Sequence, residues 1–474
     1  MRYNLLYLLR NQLNRAMRVQ LIFVNLLLLL SFLLSCTKEH LETKTETTQT
    51  ETSAQAAKAR LTAMLALERS PYRSRTEILQ IAQQKLGVKE QKMLRGNVLE
   101  IDYVLTPRQG MELTSTSATQ SAPVDTMLYI VNKKDNTGFC VLSGDKRLPE
   151  LLAFSDTGHF DKDSIAATPG LAIFWDLLPL YYAKTLSRFH HTLDSLQLLS
   201  RPEKKVDTLI EDWRMEDFES KIVHQTPNYV PVCWNQGEPF NNAAPKDCGE
   251  RSAAGCVATA TAQLLAAFKY PPTYKGMTFD WKLLTREKYI SKYSPQERSQ
   301  FDPQVAFLFR KIGDKLCNSW GRESTSADDK NVPKVLKSMG FRHPSSRTRY
   351  NQKGIFESLD YGCPVVMGGY SHAIQIGSIT IPYKSGHTWL CDGYIKYLCT
   401  WVMIDNRTGE VVKRESNAVY YMHCNWGWGG GRNGYFYAGV FDASERPPMP
   451  DYALQSNKDR YFQYELTNIL YIYP

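Results

Sequence analysis

Hydrophobic and polar positions divide this 474-residue chain into five stretches. Arg2, Arg10, Arg15 and Arg18 precede an apolar run, Leu21-Ile22-Phe23-Val24-Asn25 through Leu34, which is too short and one-sided to predict a transmembrane span. From Cys36 to about Ala57 the chain is rich in Thr, Glu, Lys and Gln. With almost no apolar side chains it cannot offset chain entropy by burial, so it predicts a disordered tether. Periodic patterns begin at Lys58 and run to about Leu199. Helical spacing appears around Thr76–Ala82, strand-like runs at Val98–Leu105, Met127–Val131 and Phe139–Ser143, and a second helical segment near Leu171–Phe189. Polar Lys133–Thr137 is a turn between two antiparallel strands, and the whole stretch reads as an independent α/β domain. Residues 200–225 are charged and poor in apolar side chains, which predicts a solvated segment open to proteolysis. The last stretch runs from 226 to the C-terminus.

Within it, Val257, Ala260, Leu264 and Phe268 recur at near-helical spacing, which places Cys256 in the first turn of a helix built from small residues. Unpaired backbone N–H groups and the helix dipole favour a thiolate there, so Cys256 is a candidate nucleophile; its bland alternative is an inert core cysteine. Ser385-Gly386-His387-Thr388-Trp389-Leu390-Cys391-Asp392-Gly393-Tyr394 reads as a short strand between turn residues. It would hold His387 rigidly as the base of a Cys–His pair. In His423-Cys424-Asn425-Trp426-Gly427-Trp428-Gly429-Gly430-Gly431 the Asn425 amide can fix the imidazole tautomer and the Trp426 indole can shield that bond, unless both simply pack a glycine-rich turn. Gln236 precedes the nucleophile and can donate to an oxyanion alongside the Cys256 N–H, or cap a turn. His372, in Gly369-Tyr370-Ser371-His372-Ala373, is the rival base.

The order Gln, Cys, His, Asn-Trp, with Gly-Cys-Val-Ala-Thr-Ala and Asn-Trp-Gly-Trp-Gly-Gly, resembles the streptopain family of papain-like cysteine peptidases. The 131 positions from Cys256 to His387 fall within the ~130–150 of the papain plan. The resemblance covers about half the chain and implies an α+β fold with a two-lobed peptidase domain over 226–474. It makes Cys256 the nucleophile, His387 the base, Asn425 and Trp426 its orienters and Gln236 the oxyanion donor. Asp-Gly-Tyr follows His387 at the family's spacing, which favours it over His372. Thr388 stands where the family usually has Ala, a change that can alter a subsite wall without removing a catalytic group. Leu128-Tyr129-Ile130-Val131-Asn132 followed by Gly138-Phe139-Cys140-Val141-Leu142-Ser143-Gly144-Asp145 resembles the family's pro-domain, so 58–199 is expected to be an inhibitory prodomain and 200–225 the activation linker. Leu33-Leu34-Ser35-Cys36 resembles the lipobox of bacterial lipoproteins. On that reading 1–35 is a signal peptide, 36–57 the tether, and acylated Cys36 anchors an exported protein to a membrane, at the outer membrane or cell surface.

Composition changes this picture little. At 43% hydrophobic the chain can build a sizeable core in each of two domains. Four of its nine net positive charges belong to the leader arginines, and no basic-aromatic module suggests nucleic acid. Ten cysteines in an exported chain invite disulfides whose pairing the sequence leaves open. The histidines lack ligand spacing, and no metal or organic cofactor is implied. The sequence therefore points to a cysteine endopeptidase made as a zymogen, with protein or peptide substrates and its own prodomain as inhibitor. A transamidase or cell-wall-crosslink peptidase on the same scaffold, or a surface binding protein without turnover, is the alternative.

Overall fold

The computed structural model describes residues 57–88 apart from Ala59, 98–105, 113–115, 126–161, 168–199, 213–342, 344–371, 374–376, 379–381, 385–442 and 466–474. The leader, the tether with Cys36, residues 200–212 and His372 lie outside them. Lys58–Pro474 fall in one compact unit.

After a helical stretch over 60–69, helix α1 (Arg75–Lys85) starts at a capping box: Ser74 Oγ accepts from the Glu77 N–H and the Glu77 carboxylate accepts from the Ser74 N–H at 2.6 Å. It buries Ile78 and Ala82 against an antiparallel sheet of β1 (Leu99–Leu105), β2 (Leu113–Ser115), β3 (Leu128–Lys133), β4 (Phe139–Ser143) and β5 (Leu151–Ser155). The polar turn before β4 carries Asn136 at φ 56°, a left-handed conformation that Asn tolerates. Side chains alternate across this sheet. Tyr129, Val131, Cys140 and Leu142 face α1, while Leu128, Ile130, Phe139 and Val141 face the other layer, the 31-residue helix α2 (Pro169–Leu199).

α2 does not belong to one domain alone. Six later strands of the same sheet follow: β6 (Trp213–Gln225), β7 (Val365–Ser371), β8 (Ser385–Asp405), β9 (Val411–Asn425), β10 (Gly434–Tyr437) and β11 (Thr467–Ile469). The apolar face of α2 packs on β3–β5 and also on β7–β10, in one core containing Leu171, Phe174, Leu177, Met367, Trp389, Met422 and Phe436. A twelve-stranded antiparallel sheet runs from the two-residue strand Thr348–Arg349 through β11-β7-β8-β9-β10 and on through β5-β4-β3-β1-β2. The junction is β5 on β10, with Phe154 opposite Tyr435 and Ala153 opposite Phe436. The stretch 58–199, read as an independent domain, thus shares both a sheet and a core with the C-terminal stretch.

A second core lies on the other side, where α3 (Cys256–Phe268) and α4 (Pro295–Leu316) pack with Trp234, Phe240, Phe301 and Phe309, whose rings lie 5.1–6.4 Å apart. Fully burying such aromatic side chains contributes roughly 1.5–3 kcal/mol each. Helices on one lobe and a large antiparallel sheet on the other make the fold α+β.

Two expectations need correction here. The strand carrying His387 does not exit at Gly393-Tyr394: β8 passes through a bulge at that point and continues to Asp405. Gly393 allows it, because a Cβ there would lie 2.5 Å from Asn228 Oδ1 and 2.9 Å from the Pro227 carbonyl. Nor is the whole of 200–225 a solvated linker. Residues 213–225 form β6, which pairs antiparallel with the distal half of β8, from Gln225 opposite Ile395 to Trp213 opposite Asp405. Charge density alone misreads such a segment, since an edge strand is held by backbone bonds and tolerates polar side chains.

Candidate active site

Cys256 is the first residue of α3, behind Gly255 at φ 87°, which offers no side-chain cap. A Cβ at 255 would meet Thr325 Cβ at 3.3 Å, so the tight turn into the helix depends on glycine. Burial drives the thiol pKa upward and outweighs three backbone N–H groups that draw it down, that of Thr388 on β8 and those of Val257 and of Cys256 itself in this first turn. Behind it, Thr259 and Thr261 satisfy their buried hydroxyls on the carbonyls of Gly255 (3.0 Å) and Val257 (2.7 Å), so polar side chains fit a helix that is buried from Val257 to Ala266.

His387, only 3% exposed, stands on β8 immediately before Thr388 and therefore next to the thiol's surroundings. Its Nε2 lies 2.9 Å from the Trp426 carbonyl. A carbonyl only accepts, so Nε2 carries the hydrogen and Nδ1 is the nitrogen left to take a proton. Burial lowers the imidazole pKa to about 4, with the Trp426 carbonyl pulling the other way. A raised thiol and a lowered imidazole together mean a neutral pair at neutral pH in this precursor.

The structure corrects the role read for Asn425. Its side chain does not face the imidazole. Nδ2 donates to the Val232 carbonyl (3.1 Å) and to Gln263 Oε1 (3.2 Å), and Oδ1 accepts from Gln263 Nε2 (3.3 Å) and the Gly427 N–H (3.2 Å). The imidazole is held instead by the backbone of the next residue. Trp426 is fully buried and packs on Trp389 and Phe436, with ring centroids at 5.3 and 5.0 Å, while the indole of Trp428 lies over His387 at 6.3 Å. Gln236 is tied to the nucleophile's turn through its carbonyl, which accepts from the Ala254 N–H at 2.9 Å.

The N-terminus of α2 covers this arrangement. A Cβ on Gly170 would lie 2.4 Å from Trp426 and 2.7 Å from His387 Cδ2, so the helix backbone is pressed onto both rings. Ser155 Oγ donates to the Asn433 carbonyl at 2.7 Å, and a Cβ on Gly158 would fall 1.9 Å from the Gly431 carbonyl. Ser155 and Gly158 therefore hold the end of the glycine-rich loop, at Gly431 and Asn433, from the prodomain side. In that loop Gly427, Gly429 and Gly430 take positive φ, and Gly430 abuts Cys233, so the glycine-rich segment is packed down here.

Two participants escaped the sequence reading. The Trp426 carbonyl could not be found, because every residue has one. Gln263 could have been: it is a lone amide among small and apolar residues, two helical turns beyond Cys256 and on its face.

The Peptidase C10 family matches residues 234–436 and the Spi protease inhibitor matches residues 44–181. Streptopain of Streptococcus pyogenes is 24% identical over 352 residues, 65% of this chain and 73% of that protein. The thiol protease/hemagglutinin PrtT of Porphyromonas gingivalis is 23% identical over 351 residues, 67% of this chain and 34% of that one. Among solved structures, a mutant fragment of Prevotella intermedia prointerpain A covers 78% of this chain and 99% of its own, with 20% identity and a TM-score of 0.43. Together, a C10 peptidase match over 234–436 and a Spi-type inhibitor match ahead of it support a cysteine peptidase of the streptopain family made as a zymogen.

Proposed function

We propose that this is a secreted cysteine endopeptidase in which Cys256 and His387 carry the chemistry. Once the prodomain leaves, the Cys256 thiolate attacks the scissile carbonyl, and the oxyanion is held by the Cys256 N–H and the Gln236 amide. The C–N bond breaks as His387 passes its proton to the leaving amine. Water, deprotonated by His387, then adds to the thioester, and C–S cleavage frees the acid and the thiol. The tautomer supports this reading, since Nε2–H bound to the Trp426 carbonyl leaves Nδ1 as the proton carrier. We place the activation cleavage in residues 200–212, ahead of β6, because a strand paired along β8 is a poor substrate for a peptidase that needs extended, unpaired chain. We further propose that Cys36 is acylated and anchors the exported precursor to a membrane, from which processing releases the enzyme.

The observation that carries the zymogen reading is Gly170 pressed on both His387 and Trp426. The decisive test is Cys256→Ala. Turnover of casein should vanish while the fold persists, because Ala suits a helix of small residues, and the variant should accumulate as precursor if maturation is autocatalytic. Caseinolysis by this variant would overturn the assignment. For the anchor, Cys36→Ser should release the protein from membranes; unchanged partition with no acyl mass on the N-terminal peptide would refute lipidation.

A further inference from the structure

We infer that Gln263 is a positioning residue of the peptidase site: its buried amide locks the segment bearing Gln236 and the loop bearing Trp426 onto the helix that carries Cys256. The inference rests on the reading of the site given above. Gln263 is fully buried, and every polar atom of its side chain is engaged. Oε1 accepts from the Trp234 N–H at 2.9 Å and from Asn425 Nδ2 at 3.2 Å, and Nε2 donates to Asn425 Oδ1 at 3.3 Å. The two side-chain amides thus form a reciprocal pair.

Each end of that pair leads to a group that acts on substrate. Trp234 stands two residues before Gln236, and its own carbonyl accepts from the Gly429 N–H at 3.2 Å. Asn425 precedes Trp426, whose carbonyl orients the imidazole, and Asn425 Oδ1 also accepts from the Gly427 N–H, which fixes the chain on the other side of that carbonyl. Gly427 lies close by as well, where an added Cβ would sit 3.9 Å from Gln263 Nε2 and 3.1 Å from Thr259. Loss of the amide pair would leave nucleophile, oxyanion donor and base on three segments free to drift apart. A displacement of about 1 Å is enough to cost on the order of a hundredfold in rate.

The test uses the full chain, matured by limited proteolysis with a serine peptidase that is then blocked, alongside Gln263→Met, Gln263→Glu, Asn425→Ala and the Gln263→Met/Asn425→Ala pair. For Gln263→Met we expect kcat to fall roughly 10–100-fold with KM within about twofold, the size seen when supporting groups around a reactive centre are removed. Because the two amides act as one unit, adding Asn425→Ala to Gln263→Met should cost less than about threefold more. Gln263→Glu gives a readout that a merely structural residue would not move. Its ionised carboxylate keeps the bond from Trp234 but sets an oxygen against Asn425 Oδ1, whereas the protonated acid can donate there. Its activity relative to the parent should therefore rise as pH falls through the titration of a buried carboxyl, above the ordinary ~4.3. A Gln263→Met kcat equal to the parent's, multiplicative losses in the pair, or a pH-independent Gln263→Glu ratio would each overturn the inference. If Gln263→Met does not fold, the isosteric Gln263→Glu still decides by its pH ratio. Cys256→Ala is the control: turnover there sinks the reading of the site, while Cys256-dependent turnover untouched at Gln263 sinks this inference alone.

Discussion

At the scale of single residues, what distinguishes this site is how little of it depends on charge in the precursor. No carboxylate acts on His387 among the described residues; burial and one carbonyl determine its state. For the thiol, burial is opposed by backbone N–H groups. Reactivity must then come from re-solvating the imidazole, because an imidazolium beside the thiol is what depresses its pKa. In the matured enzyme His387→Ala should lose most thiolate reactivity near neutral pH, and His372→Ala should keep it, as read from alkylation rate against pH. A profile shifted by His372→Ala and untouched by His387→Ala would reverse the assignment. Asn425→Ala should be costly in a different way. It strips partners from the Val232 carbonyl, the Gly427 N–H and the Gln263 amide, all buried, at about 1–3 kcal/mol for each group left unsatisfied. Urea unfolding should register that loss along with the lowered kcat.

Among the elements, α2 is the one whose placement decides whether the site is open. Its first turn must approach two aromatic rings at backbone distance, and only glycine permits that. Gly170→Ala should push the helix off, costing about 1–3 kcal/mol of docking, which corresponds to roughly a fivefold to hundredfold shift in the open fraction. In a precursor whose 200–212 segment has been made resistant to cleavage, iodoacetamide should then label Cys256 faster by a comparable factor. Equal labelling rates would show that this contact does not gate the thiol. Much of this layer was legible from sequence. α1 announced itself by its apolar period, β3 and β4 by the polar turn between them, and α3 by small residues at helical spacing. What failed did so for physical reasons. β6 is held by backbone bonds to a partner strand distant in the sequence, which no local pattern encodes. β8 runs on through a bulge whose Gly393 looks like a terminator until the segment at 227–228 is seen lying against it. The Asn425 amide was given to the imidazole because a local motif shows neighbours in sequence, whereas its partner Gln263 arrives from another helix.

Across the whole molecule, inhibitor and enzyme share one sheet and one core, so release of the prodomain means parting β5 from β10 and lifting α2 from strands it helps to bury. That coupling makes the buried imidazole a handle on the assembly. Folding lowers the His387 pKa from about 6.5 to about 4, which means the precursor holds the neutral ring and disfavours the protonated one. The sign follows directly: this contribution is fully present above about pH 6.5 and is lost as pH falls toward about 4, since the open or unfolded chain binds a proton that the closed one excludes. A shift of that size corresponds to on the order of 3 kcal/mol. Acid should therefore loosen the precursor. The measurement is urea unfolding of the Cys256→Ala precursor, which does not process itself, between pH 7.5 and 4, with and without His387→Gln. The difference in stability between the two should shrink by a few kcal/mol as pH falls through that window, because Gln has no proton to bind. Parallel pH dependences would mean that the imidazole of His387 is not the group through which acid acts on the closed form.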